Sequence, residues 1–223
     1  SGAKTGTNGR HPLPDPARFC ATLGAAGVAR DKQVVAYDAQ GGNFAARLWW
    51  TLRWLGHDAV AVLDGGWPKW VREDRPCTAE VPHPGRTSFP NAAGGGWVDA
   101  QFVQSHLGAP GMLLIDARSA ERFRGEAEPI DPVAGRIPGA VSRDFKQNLD
   151  ASGCFRPAPE LRAEFEVILG ERPPAEAVHS CGSGVSACHN LLAMEIAGLA
   201  GSRLYPGSWS EWCADPARPI ERG

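Results

Sequence analysis

The sequence predicts an α/β protein of two tandem, related domains, each a mainly parallel sheet flanked by helices. Three observations carry this. Short apolar runs of strand length alternate with helical patterns along the whole chain. The two halves repeat one another at a nearly constant offset. Hydrophobic residues make up 43% of the 223 residues, enough for a core in each half.

The elements follow in order. The stretch QVVAYDAQGGNFAARLWW predicts a strand up to Asp38, a Gly-rich loop and a helix. LDGGWPKW, from Leu63 to Trp70, closes the first half. Arg72–Gly96 is rich in Pro, Gly and charge without periodicity and reads as a linker. Met112–Asp116 is a continuous apolar run bounded by turn residues, as in a buried parallel strand. Pro159 opens a helix that runs to Leu169, with Gly170 just past its end. Ala177–Ser180 is a strand, Ser186–Leu199 a helix and Ser202–Tyr205 a strand.

The repeat aligns these parts. Asp38 and Cys181 occupy matching places 143 residues apart, and LDGGWPKW matches YPGSWSEW at an offset of 142. Pro14 and Pro159 give an offset of 145. The opening of the second half, LLIDARSAERFRG with GRIPGAV, has no counterpart after Ser1, so the first domain is expected to lack its N-terminal strand. The expected division is residues 1–71, a linker at 72–96, and a second domain at 97–223.

A net charge of −2 gives no basic excess, which argues against nucleic acid and anionic membrane as partners. No apolar run reaches the length of a membrane-spanning helix. The cysteines, Cys20, Cys77, Cys154, Cys181, Cys188 and Cys213, are scattered without a CxxC. That pattern suits free thiols in a reducing compartment and predicts a cytoplasmic protein.

The chemistry concentrates in Cys181-Gly182-Ser183-Gly184-Val185-Ser186, a loop between a strand and a helix. Backbone N–H groups of a tight loop and the positive end of a helix favour a thiolate, the nucleophilic form. The same nest can hold an anionic persulfide. Competing readings are weaker. His179, Cys181, Cys188 and His189 cluster in sequence, but their spacing matches no common zinc pattern. A cysteine phosphatase needs an arginine six residues after the nucleophile, where this chain has Ala187. Cys188 and His179 read as core residues, Trp67 and Trp209 as packing anchors, and Asp116 with Arg118 as a structural pair.

CGSGVSAC, DARSAERFRG, EPID, GRIPGA and LDGGW together resemble the rhodanese family in its two-domain form. The loop is similar to that of the family's 3-mercaptopyruvate sulfurtransferases. The resemblance implies a catalytic second domain and a first domain disabled by Asp38. It implies Cys181 as sulfur carrier, with Gly182, Ser183, Gly184, Val185 and Ser186 as cradle and Ser183 also polarising the substrate. Arg122 would bind the anionic donor, mercaptopyruvate or thiosulfate. The family's second substrate arginine has Ile130 or Asp131 in its place, which leaves Arg136 as the candidate replacement. The Asp and His that join the loop serine in some relatives are expected to fall before Ser1. No metal or organic cofactor is implied. The acceptor would be cyanide, a small thiol or a thioredoxin-like protein. The non-enzyme alternative is an inactive sulfur-binding or regulatory module.

Overall fold

The computed structural model describes residues 1–223, which form two compact units. The smaller unit comprises Pro14–Gly95 with Ala151–Cys154; the larger comprises Ser1–Leu13, Gly96–Asp150 and Phe155–Gly223. The smaller unit thus runs on past residue 71, through the segment expected as linker, to Gly95, and the larger resumes at Gly96, beside the second expected boundary. Within the smaller unit, Thr87 Oγ1 donates to Val28 O at 2.6 Å and Phe89 is buried, so part of the segment expected as linker is fixed to that unit.

In the smaller unit, α1 (Pro16–Ala25) leads to β1 (Val34–Ala36), α2 (Asn43–Trp54), β2 (Val60–Val62) and α3 (Gly66–Arg72). Asp15 caps α1 by accepting from the Arg18 N–H, and Pro16 supplies the preset first helical turn. β1 and β2 pair in parallel, in register from Val34 with Val60 to Ala36 with Val62.

In the larger unit come α4 (Ala100–Ser105), β3 (Leu113–Asp116), α5 (Ala120–Arg124), β4 (Val141–Ser142), α6 (Ala158–Leu169), β5 (Ala177–Ser180), α7 (Ala187–Ile196), β6 (Arg203–Leu204) and α8 (Ser208–Trp212). The sheet is parallel throughout, in the order β4-β3-β5-β6. Its two central strands are buried on every residue, which is why they read as continuous apolar runs. Alternate side chains serve opposite faces. Leu113, Ile115 and Ala177 join Leu161, Phe165 and Met194 on one side. Leu114 and Val178 join Val103, Trp209 and Trp212 on the other. No helix is long and apolar enough to cross a membrane.

The repeat is visible in the backbone. The Asp38 carbonyl accepts from Trp67 N at 2.9 Å, and the Cys181 carbonyl accepts from Trp209 N at 3.0 Å. Gly66 and Ser208, 142 residues apart, share a φ of +53°. At Gly66 a Cβ would lie 2.3 Å from Asp38 O, so only glycine fits there.

Candidate active site

The site sits at the carboxyl end of β5, one of the two central strands, where a parallel sheet exposes loops that can take ligands. Cys181 follows Ser180 directly and is 3% exposed. The loop is built by turning its polar groups in opposite directions. The carbonyls of Cys181 and Gly182 accept from Trp209 N and Ser210 N, at 3.0 and 2.9 Å, at the start of α8. Cys181 N donates to Ser208 Oγ at 3.0 Å, and that hydroxyl donates to Tyr205 O at 2.9 Å. With the carbonyls held outward, the N–H groups of Ser183 and Gly184 point to Cys181 Sγ at 3.4 and 3.1 Å. The result is a nest of donors around the sulfur, suited to negative charge there. Gly184 is required by the turn: its φ is +76°, and a Cβ would stand 2.3 Å from Pro206 O. Val185 is almost buried and Ser186 begins α7 without a side-chain capping bond.

Ser183 has a partner that the sequence reading placed elsewhere. His11 Nδ1 lies 2.8 Å from Ser183 Oγ. The expectation that this histidine falls before Ser1 is therefore corrected. The segment carrying it docks beside α8: Arg10 N donates to Ser210 Oγ at 3.0 Å, and a Cβ on Gly9 would meet Gly207 O at 2.8 Å.

Three arginines and three carboxylates line the rim. Arg118 donates to Asp116 at 2.7 Å and to Gly135 O at 2.8 Å, with both side chains nearly inaccessible. Burial works against the Arg118 charge, yet Asp116 and Glu128 hold the guanidinium above its ordinary pKa. Arg122 donates to Glu128 at 2.6 and 3.1 Å and lies 3.4 Å from Asp131 Oδ2. Glu128 is kept below the usual carboxylate range: burial opposes this, but Arg122 and the N–H groups of Asp131 and Ile130 outweigh it. Arg10 pairs with the other oxygen of Asp131.

Arg122 and Arg10 both reach the loop. A Cβ placed on Gly182 would lie 3.3 Å from Arg122 Nη2 and 2.9 Å from Arg10 Nη2. Arg136 does not come here, and the expectation that it replaces the second arginine is corrected. Its guanidinium pairs with Glu221 and the Gly223 carbonyl and covers the Phe123 ring at 4.8 Å. The antiparallel bridge between Arg136 and Glu221 fixes that choice by bringing the C-terminal segment alongside.

The other singled-out residues lie off the loop mouth. Cys188 is fully buried, its Sγ 3.4 Å from Gly184 O. Buried His189 meets Asn148 Nδ2 at 3.0 Å. His179 faces Met194 Sδ at 3.1 Å and is driven down to a pKa of about 3 by burial alone. Trp209 is a buried anchor donating to Val133 O at 2.8 Å, whereas Trp67 is part-exposed and stacks on Tyr37.

In the matching loop of the smaller unit, Asp38 fills the nest with its own carboxylate. It accepts from Gln40, Gly42, Phe44 and Ala45 N–H groups at 2.7 to 2.9 Å. Burial opposes the charge, but those donors hold the carboxyl below its ordinary range.

The Rhodanese-like domain family model matches residues 5–73 and 99–215. A protein of Pseudomonas aeruginosa named probable 3-mercaptopyruvate sulfurtransferase is 49% identical over 99% of this chain and 78% of its own. Thiosulfate sulfurtransferase of Gallus gallus is 37% identical over 90% of this chain and 70% of its own. Among solved structures, 3-mercaptopyruvate sulfurtransferase from Leishmania major superposes with a TM-score of 0.79 at 30% identity, covering 95% of this chain and 59% of that one. Sequence, repeat and backbone agree with these matches: the chain belongs to the rhodanese family and is one of its sulfurtransferases.

Proposed function

We propose that the protein moves sulfur from 3-mercaptopyruvate to a thiol through a persulfide on Cys181. The single observation that carries this is the sulfur-centred nest, with Ser183 N and Gly184 N aimed at Cys181 Sγ. In the first step the Cys181 thiolate attacks the donor sulfur. The donor's C–S bond breaks, its electron pair stays on carbon as the enolate of pyruvate, and the new S–S bond leaves a persulfide. Ser183 hydrogen-bonds the keto oxygen and passes a proton to the enolate, and His11, 2.8 Å away, restores it. The proton lost from the donor's thiol ends on pyruvate, so the step is balanced. In the second step an acceptor attacks the outer sulfur and Cys181 departs as thiolate. The acceptor is a small thiol, a thioredoxin-like dithiol or cyanide. Free cysteines throughout agree with a cytoplasmic setting.

Intact mass after incubation with mercaptopyruvate tests the reading. The wild type gains one sulfur atom, mapped to Cys181, and releases pyruvate; Cys181→Ser gains none while keeping its fold. Sulfur transfer retained by Cys181→Ser would refute it.

A further inference from the structure

We propose that Ser210 is a positioning residue for the reaction, setting His11 against Ser183 by tying their backbones together. The inference rests on the reading that these two residues pass a proton to the enolate. Ser210 bonds to the residue just before each of them. Its N–H donates to the Gly182 carbonyl at 2.9 Å, and Gly182 precedes Ser183. Its hydroxyl accepts from Arg10 N at 3.0 Å, and Arg10 precedes His11. One residue of α8 therefore spans both sides of the 2.8 Å contact between His11 and Ser183.

The segment that carries His11 needs such a pin. Ser1–Leu13 contains no helix or strand. Gly2 N donates to Pro12 O and Thr5 N to Asn8 Oδ1, each at 2.9 Å, so the segment bonds to itself and leaves its placement to a few outward contacts. The Arg10 side chain reaches Asp131 through several rotatable bonds, whereas the bond to Ser210 fixes the backbone directly. The hydroxyl is itself oriented. It donates its one proton to Gly207 O at 3.2 Å, which turns a lone pair to Arg10 N. Gly9 completes the fit: a Cβ there would lie 3.3 Å from Ser210 Oγ and 2.8 Å from Gly207 O. The repeat separates this tie from what the fold requires. The bond from Trp209 N to Cys181 O has its counterpart in Trp67 N to Asp38 O. At the place of Ser210, 142 residues earlier, stands Pro68, with neither an N–H nor a hydroxyl. The double tie thus belongs to the loop that holds the nucleophile.

Ser210→Ala removes the hydroxyl and keeps the N–H on Gly182. Its kcat for mercaptopyruvate should fall roughly 3- to 10-fold, with KM changed by less than about twofold. Alkylation of Cys181 by iodoacetamide should stay within about twofold of wild type, because the donors around the sulfur are untouched. Hydrogen exchange at the Arg10 amide, read by NMR, should quicken. In a His11→Gln background the same substitution should cost nothing further, since a histidine that is gone cannot be misplaced. Equal loss of kcat in both backgrounds, or unchanged exchange at Arg10, would overturn the assignment. So would a wild-type kcat in Ser210→Ala when His11→Gln is slow, and the proton path would then stand without it. Wild-type turnover in His11→Gln itself would instead sink the proton path, and the role of Ser210 with it.

Discussion

Ser183 and His11 show how one hydrogen bond can be tested as a unit. The contact of 2.8 Å joins residues 172 positions apart, and its use is to supply or remove a proton at the serine oxygen. If they act in series, removing either breaks the same path. Ser183→Ala and His11→Gln should each lower kcat for mercaptopyruvate by roughly 10²-fold, within the usual range for proton-transfer partners. The double variant should be no slower than the worse single one, because contributions that act as a unit do not add. Steady-state kinetics on the four proteins gives the answer; a multiplicative double variant would mean that His11 and Ser183 act separately. Iodoacetamide reactivity of Cys181 should stay near wild type in all of them, since the nest donors are backbone groups of residues 183 and 184.

The two strand–loop–helix elements use one backbone design with different anions. Asp38 supplies its own negative charge to four N–H groups, whereas the Cys181 loop aims its donors at sulfur. Asp38→Ala should therefore leave Gln40, Gly42, Phe44 and Ala45 without an acceptor, at a cost of about 1–3 kcal/mol. Hydrogen exchange at those amides should quicken sharply while exchange in the Cys181 loop is unaltered; unchanged protection of the four amides would refute the self-filled nest. The elements themselves were legible in the sequence. The strand read at Met112–Asp116 is Leu113–Asp116, the Ala177–Ser180 strand matches, and the helix read from Pro159 runs over Ala158–Leu169. Such segments announce themselves through local periodicity and punctuation. Cys181 was legible for the same reason, because its loop is contiguous. Arg10 and His11 were not. Their segment has no helix or strand, and its meaning lies in contacts with Asp131 and Ser183, more than a hundred residues on. Arg136 misled because the GRIPGA motif fixes the backbone turn but not the side chain's destination, which Glu221 decides. The serine that orients the loop, Ser208, was hidden in a motif read only as a repeat marker.

At the scale of the molecule, the same buried sheet that aims the loop makes folding sensitive to acid. His179 lies on β5, between β3 and β6, with no exposed surface and only Met194 beside its Nε2. Burial drives its pKa from 6.5 to about 3. The sign follows directly: the folded state keeps the ring neutral while the unfolded chain takes up a proton below 6.5. This contribution is intact above pH 6.5 and is lost progressively as pH falls towards 3. By pH 5 the loss should be roughly 2 kcal/mol, given about 1.36 kcal/mol per pKa unit. Other groups respond in different directions. Asp38 and Glu128 are held below their ordinary values and lose their contribution at more acidic pH, whereas burial raises Glu211, which then favours the folded state as pH falls. Comparing the wild type with His179→Leu cancels these shared effects. Urea midpoints are followed through hydrogen exchange of the Ala177–Ser180 peptide, so that the larger unit is read by itself. Between pH 7.5 and 5 the wild type should lose about 2 kcal/mol more than the leucine variant. Parallel pH curves for the two proteins would show that a proton reaches His179 in the folded state, and that the buried strand beneath the catalytic loop is less closed than its packing indicates.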